Sequence, residues 1–336
     1  MSRELTNGRI AGGVAVALAA GAVVALTVTS ETVLSLLTQA TIFAIFALGV
    51  GILLRQNGMV SFGHAAFYGL GGYVVAILLQ RQLMSAEMAL VTAFFGIALF
   101  AFLIGFVVVR VPGIAFGMLT LALGQMFYQV ASRSRNLTGG ADGINIPWPD
   151  TLFGLDISLL TRQDAMFYFA WSGLVLSIGI VAALMASRFG ATTEAIRDNE
   201  ERARFIGIQT LLPRVLIFTL SGTVTALAGL MSAFQTAFVS PESMHWSVSG
   251  TALMMVIIGG YRYLWGPALG AIVFFMSRDL VGDFAQHWLA IFGVALIVVI
   301  VFAPQGISGA LARLFRRKAV VPQATPAVIH KLKERT

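Results

Sequence analysis

The feature that most limits what this chain can become is a succession of uninterrupted apolar runs, among them Ile10 to Thr29, Val33 to Leu54 and Met88 to Val109. A helix crosses the hydrocarbon layer of a bilayer with about 20 consecutive apolar residues, and these runs reach that length. With 58% hydrophobic and 11% charged residues, no stretch outside the runs is long enough to bury a core of its own. The expected fold is an all-α polytopic membrane protein whose residues 1–336 form a single transmembrane domain.

About ten transmembrane helices are expected: Ile10 to Thr29, Val33 to Leu54, Val60 to Gln80, Met88 to Val109, Gly113 to Ser132, Ala165 to Ala186, Pro213 to Val239, Ser247 to Tyr261, Leu264 to Gly282 and Gln286 to Ala303. The first run is longer than a signal-peptide core, and no small-x-small cleavage site follows it, so it reads as a span. The stretch Ser247 to Gly282 either crosses twice or forms a re-entrant pair. Ten crossings put both termini on one side, which then holds seventeen of the 22 Lys and Arg residues. By the positive-inside rule that side is the cytoplasm, and the formal charge of +7 reflects orientation and not nucleic-acid binding.

The first repeat would cover about residues 10–132, an external loop 133–164, a second repeat 165–303 and a cytoplasmic tail 304–336. The two halves then have opposite topology, an inverted five-plus-five arrangement with a glycine-broken third helix in each: Ser61 to Gly72, and Gly250 to Gly260. Matching broken segments of this kind point to a transport pathway. Close helix packing through small residues explains single glycines equally well.

No carboxylate falls at mid-membrane in this map, so an ion-coupled carrier would have to use a histidine or unwound helices. Candidates to line the pathway are Ser61, His64, Gly69, Gln125, Gln129, Ser221, Gly259 and Gly260; packing and interhelical hydrogen bonding are the competing roles. Such a lining suits a neutral or zwitterionic solute. There is no cysteine, no metal-ligating cluster and no nucleophile–base motif, so neither metal, cofactor nor enzymatic activity is expected. The three lysines, Lys318, Lys331 and Lys333, lie in the tail, and no Walker A loop can be assembled.

One internal stretch breaks the apolar pattern. Arg188 to Ile208 carries Arg188, Arg197, Arg202 and Arg204 against Glu194, Asp198, Glu200 and Glu201. Its i,i+4 pairs, Arg197 with Glu201, Asp198 with Arg202 and Glu200 with Arg204, predict an exposed helix with Thr192 as a cap and Gly207 at its end. It is either a solvated loop or a docking surface.

Several ordered motifs carry a resemblance: NGMVSFGHAAFYGLGGY (Asn57 to Tyr73), TLALGQ (Thr120 to Gln125), TGGADGI (Thr138 to Ile144), SRFG (Ser187 to Gly190), AIRDNE (Ala195 to Glu200), FTLSG (Phe218 to Gly222), SPES (Ser240 to Ser243) and LWGPALGA (Leu264 to Ala271). Together they resemble the branched-chain amino acid permeases of ABC importers, the longer of the two permease subunits, over most of the chain. The resemblance implies a multi-pass protein of the bacterial inner membrane working with a second permease subunit, two ABC ATPase subunits and a periplasmic solute-binding protein. It implies that the charged block is the ATPase-coupling helix, with Arg188, Glu194, Ala195, Ile196, Arg197, Asp198, Asn199, Glu200, Ala203 and Gly207 as its residues. It also implies that Gly139, Gly140, Asp142 and Gly143 meet the binding protein. The solute would be a branched-chain or related amino acid, with urea, short amides or aromatic acids, or an ion-coupled carrier, as alternatives. Ala191 and Glu194, where the family commonly has basic residues, and the Tyr261-Arg262-Tyr263 turn, where it is small and glycine-rich, depart from the pattern.

Overall fold

The computed structural model describes residues 2–282, 293–294, 297 and 305–316. The helices of six residues or more, in chain order, are α1 (Ser2–Thr27), α2 (Glu31–Asn57), α3 (His64–Gln80), α4 (Ala86–Val108), α5 (Gly113–Arg133), α6 (Gln163–Met185), α7 (Arg188–Asp198), α8 (Glu200–Phe205), α9 (Leu211–Thr236), α10 (Trp246–Gly259), α11 (Gly266–Gly282) and α12 (Gly306–Arg316). Among the described residues 6 helices, α1, α2, α4, α5, α6 and α9, are long and apolar enough to cross a membrane. Helices α3, α10 and α11 are apolar but shorter. The tenth expected span, Gln286 to Ala303, lies outside the described residues apart from 293–294 and 297. Short strands β1 (Ile144–Asn145), β2 (Thr151–Leu152), β3 (Leu155–Asp156) and β4 (Phe238–Val239) form two antiparallel ladders, β1 with β4 and β2 with β3.

Helix α2 is the centre of the bundle, with α9, α11, α6 and α10 packed around it. Its apolar residues run all round the helix, as a wholly buried span requires. Glu31 in its first turn and Arg55 in its last suit the helix dipole, and Gly58 ends it in the left-handed region at φ 66°, donating its N–H to the Leu54 carbonyl. By contrast α1 is almost entirely uncovered and leans on α6, where Trp171 Nε1 donates to the Ala17 carbonyl at 2.8 Å. Pro213 sits in the first turn of α9, where its missing N–H costs nothing.

The glycine-rich third span differs from the expectation. Its break is not at Gly69, Gly71 or Gly72, which all lie inside α3, but in the non-helical residues 58–63 that precede His64. Extended chain rises about 3.3 Å per residue against 1.5 Å in a helix. Those residues therefore carry the chain well back into the bundle before α3 starts. The glycines instead admit neighbours: a Cβ at Gly71 would press on the backbone of α9, and one at Gly69 on Met244. In the second half the same offset is produced by Ser240 to His245, partly a 3-10 turn, ahead of α10.

Candidate functional site

Two clusters of polar groups join α2 to α9, one inside the bundle and one at its end. The inner cluster starts at Ser221, whose hydroxyl donates to the Gly49 carbonyl at 2.6 Å. With its one proton committed, Ser221 Oγ accepts from Nε2–H of His64 at 2.7 Å. In a neutral ring His64 Nδ1 then accepts, and the Ser61 hydroxyl donates to it at 2.7 Å while receiving the Gly63 N–H. For a neutral imidazole this chain of donors selects the Nε2–H tautomer. Ser61, His64 and Ser221 are 1%, 0% and 0% exposed. The adjoining crevice, between Ser61, Phe67, Phe100, Thr120, Phe127 and Phe218, holds only about 20 Å³, room for a single water. These three residues thus set the start of α3 and face no opening that a solute could enter.

Two further hydroxyls complete that start. Ser249 Oγ, from α10, accepts the Ala65 N–H at 2.8 Å, and Thr120 Oγ1, from α5, accepts the Phe62 N–H at 3.3 Å. A helix beginning inside an apolar layer exposes N–H groups that no water can satisfy. Here α5 and α10 supply the acceptors, and the N-terminal ends of α3 and α10 meet.

The remaining expected lining residues are dispersed. Gln125 is half-buried on α5 with its Oε1 unpartnered among the described residues, and Gln129, one turn on, is exposed. Gly259 and Gly260 are buried where α10 crosses α11. On α5, Ile114, Met118, Leu121, Met126 and Gln129 are exposed along one side.

The outer cluster belongs to the charged block, which forms two helices rather than one. Asn199, at φ −161° and ψ 101°, separates α7 from α8 and caps α8 by accepting the Arg202 N–H. Ser187 caps α7 by accepting the Phe189 N–H; the expected cap, Thr192, instead bonds back to the Arg188 carbonyl. Gly207, at φ 84°, ends the element as expected. Of the three expected i,i+4 pairs, only Glu200 with Arg204 forms, at 2.6 Å. The break at Asn199 takes Arg197 and Asp198 out of register with Glu201 and Arg202, and Arg197 pairs with Asp198 instead.

Each half of the element is fastened to a different span. On α7, Arg197 Nη1 donates to the Arg55 carbonyl at 2.6 Å, Thr193 Oγ1 donates to Gln56, and Glu194 faces Arg55 at 3.8 Å. On α8, Glu200 accepts from Arg214 Nη1 at 2.7 Å and from Thr210 Oγ1 at 2.9 Å. Partial burial pushes the Glu200 carboxyl up, but the Thr210 hydrogen bond and the guanidinium groups of Arg214 and Arg204 outweigh it and hold the group below the usual glutamate range. Ile196 and Ala203 are buried under the element, whereas Arg188, Ala195, Asp198 and Asn199 face outward. So do Phe205 and Ile206, 89% and 72% exposed. Those two were not among the sequence candidates, although two apolar residues inside a charged run were the signal available.

At the other end of the bundle, Thr138 Oγ1 donates to the Ala131 and Ser134 carbonyls, and the Gly139–Gly143 turn folds against the end of α5 and β4. Gly140 is buried, Gly139 and Gly143 are half-covered, and Asp142 projects outward beside Ala141.

A bundle of membrane-length helices that carries a two-part charged element at one end suits a transport permease. The family model described as "Branched-chain amino acid transport system / permease component" matches residues 32–303, and the chain belongs to that family. It is 28% identical over 291 residues to the high-affinity branched-chain amino acid transport system permease protein LivM of Salmonella typhimurium and to LivM of Escherichia coli K12, covering 80% of this chain and 68% of each relative. The probable branched-chain amino acid transport permease LivM of Methanocaldococcus jannaschii is 23% identical over 57% of this chain and 59% of its own length. No solved structure matches.

Proposed function

We propose that this chain is one permease subunit of an ATP-driven importer for branched-chain or related amino acids, forming half of the translocation pathway. The observation that carries this reading, within the family, is the docking element: α7 and α8 are anchored to the core on one side and bare on the other. One of two ABC ATPase subunits binds there, and the pair supplies the energy. A second permease subunit covers the exposed side of α5, and the pathway runs along that seam, where Gln125 and Gln129 offer amide groups without placing a charge in the membrane. A periplasmic solute-binding protein meets the opposite end at Ala141 and Asp142, presented by the turn that Gly139, Gly140 and Gly143 form.

In this reading ten helices form an inverted five-plus-five repeat, with both termini and α7–α8 cytoplasmic in a bacterial inner membrane. Support comes from α3 and α10, the third helix of each half, which both start late and meet N-terminus to N-terminus. The test is reconstitution of the heterodimer with its ATPases and binding protein in proteoliposomes. Uptake of a branched-chain amino acid that depends on ATP and on the binding protein is expected. Uptake by this chain alone, driven by an ion gradient without ATP, would overturn the proposal.

A further inference from the structure

Some charges of the docking element are engaged by this chain's own groups rather than left for a partner. Glu200 is the clearest case: both carboxylate oxygens are occupied by this chain's own groups, Oε2 by Arg214 and Oε1 by Arg204 and Thr210. Arg214 is the less exposed partner, and its backbone carbonyl also accepts from Asn57 Nδ2, at the end of α2, at 3.0 Å. Arg197 likewise spends one nitrogen on the Arg55 carbonyl of α2. Asn199 lies between the two attachments in extended backbone.

We propose that Glu200 is a positioning residue, not an ATPase contact. Through Arg214 it fastens α8 to α9, while Arg197 fastens α7 to α2, so that a movement imposed on the docking element is divided at Asn199 between two different spans. Those spans meet again at the Ser221–Gly49 hydrogen bond beside His64. A relative shift of α2 against α9 therefore reaches the start of α3 through bonded groups. The partner-facing surface is then the bare side of the element, with Phe205 and Ile206 at its centre. This inference rests on the docking role proposed above.

The absence of cysteine makes a direct test possible, because any introduced thiol is unique in this subunit. In the membrane-embedded complex, with partner subunits free of reactive cysteine, Phe205→Cys and Glu200→Cys are labelled with a charged thiol reagent, with and without the ATPases. Protection of Phe205→Cys but an unchanged rate at Glu200→Cys is expected. Equal protection at both overturns the inference. No protection at Phe205→Cys with unimpaired ATPase binding overturns the docking role itself.

A second measurement reads function: the ratio of solute-stimulated to basal ATP hydrolysis in Glu200→Gln, Arg214→Gln and the double variant. Each single change lowers that ratio by about fivefold or more, within the usual span of coupling between sites, and the double variant is no worse than the poorer single one. Additive losses would place the two residues on separate routes.

Discussion

The two polar ties that end on α9 solve the same problem with opposite chemistry. The inner one, Gly49–Ser221–His64–Ser61, is neutral, fully buried and closed, with each donor matched to an acceptor. The outer one, Glu200 with Arg214, Arg204 and Thr210, is charged and half-exposed. Inside an apolar layer an ion pair must recover a large desolvation cost, whereas hydroxyls and a neutral imidazole do not. At the end of the bundle water is at hand, and charge is cheap but easily screened. The difference teaches that the inner tie fixes structure, whereas the outer one can yield to salt and acid.

The inner tie should be the costlier to break. His64→Leu strips the Ser61 hydroxyl of its acceptor and the Ser221 oxygen of its donor, and should destabilise the protein by about 2–4 kcal/mol, the cost of leaving such groups unmade. Thermal unfolding in detergent measures it; an unchanged midpoint would falsify the closed chain of donors. Next comes Gly229→Ala, which removes no hydrogen-bonding side chain: its Cβ would meet the Tyr68 carbonyl where α3 crosses α9. Overpacking of this kind costs about 1–3 kcal/mol, and a wild-type midpoint for this variant would show that the crossing is looser than drawn.

Glu200→Gln should cost only about 1 kcal/mol, since a half-exposed ion pair is discounted by solvent. Raising the ionic strength to about 1 M, where the screening length falls to about 3 Å, should erase much of that difference and leave the His64→Leu deficit intact. Equal salt sensitivity of the two variants would undo the contrast between the ties. The smallest effect is with pH. Because the folded state holds the Glu200 carboxyl below its usual range, its contribution is complete above the ordinary glutamate value of about 4.3 and is lost as pH falls through the lower folded-state value. The stability gap between wild type and Glu200→Gln should therefore be constant near neutrality and close only in acid.

Much of the architecture was readable in the residues. The expected first, second, fourth, fifth, sixth and seventh spans coincide with α1, α2, α4, α5, α6 and α9, because long apolar runs leave a chain few alternatives. The start of α3 was not readable. Residues 58–63 are as apolar as their surroundings, and only tertiary acceptors, from Ser249 and Thr120, make a non-helical entry tolerable there. The charged block shows the same limit. Its composition marks an exposed element, but the break at Asn199 arises from attachment to two spans, and Arg214, some distance along the chain beside Pro213, gave no sign that it would be the partner of Glu200. His64 stood out as a buried-span histidine, yet its role depends on hydroxyls contributed by α9 and by the stretch before α3.

The β1–β4 ladder pairs Ile144 with Val239 and Asn145 with Phe238, joining segments from opposite sides of the β2–β3 hairpin. That hairpin turns at Phe153 and Gly154, both exposed and both at positive φ. A polypeptide severed there would leave two pieces that still share a ladder, the α1–α6 contact and the α2–α9 core. Co-expressed as separate fragments, they have the interlocking surfaces needed to find each other again, so the molecule is held together by complementarity between its halves and not by the peptide link between them.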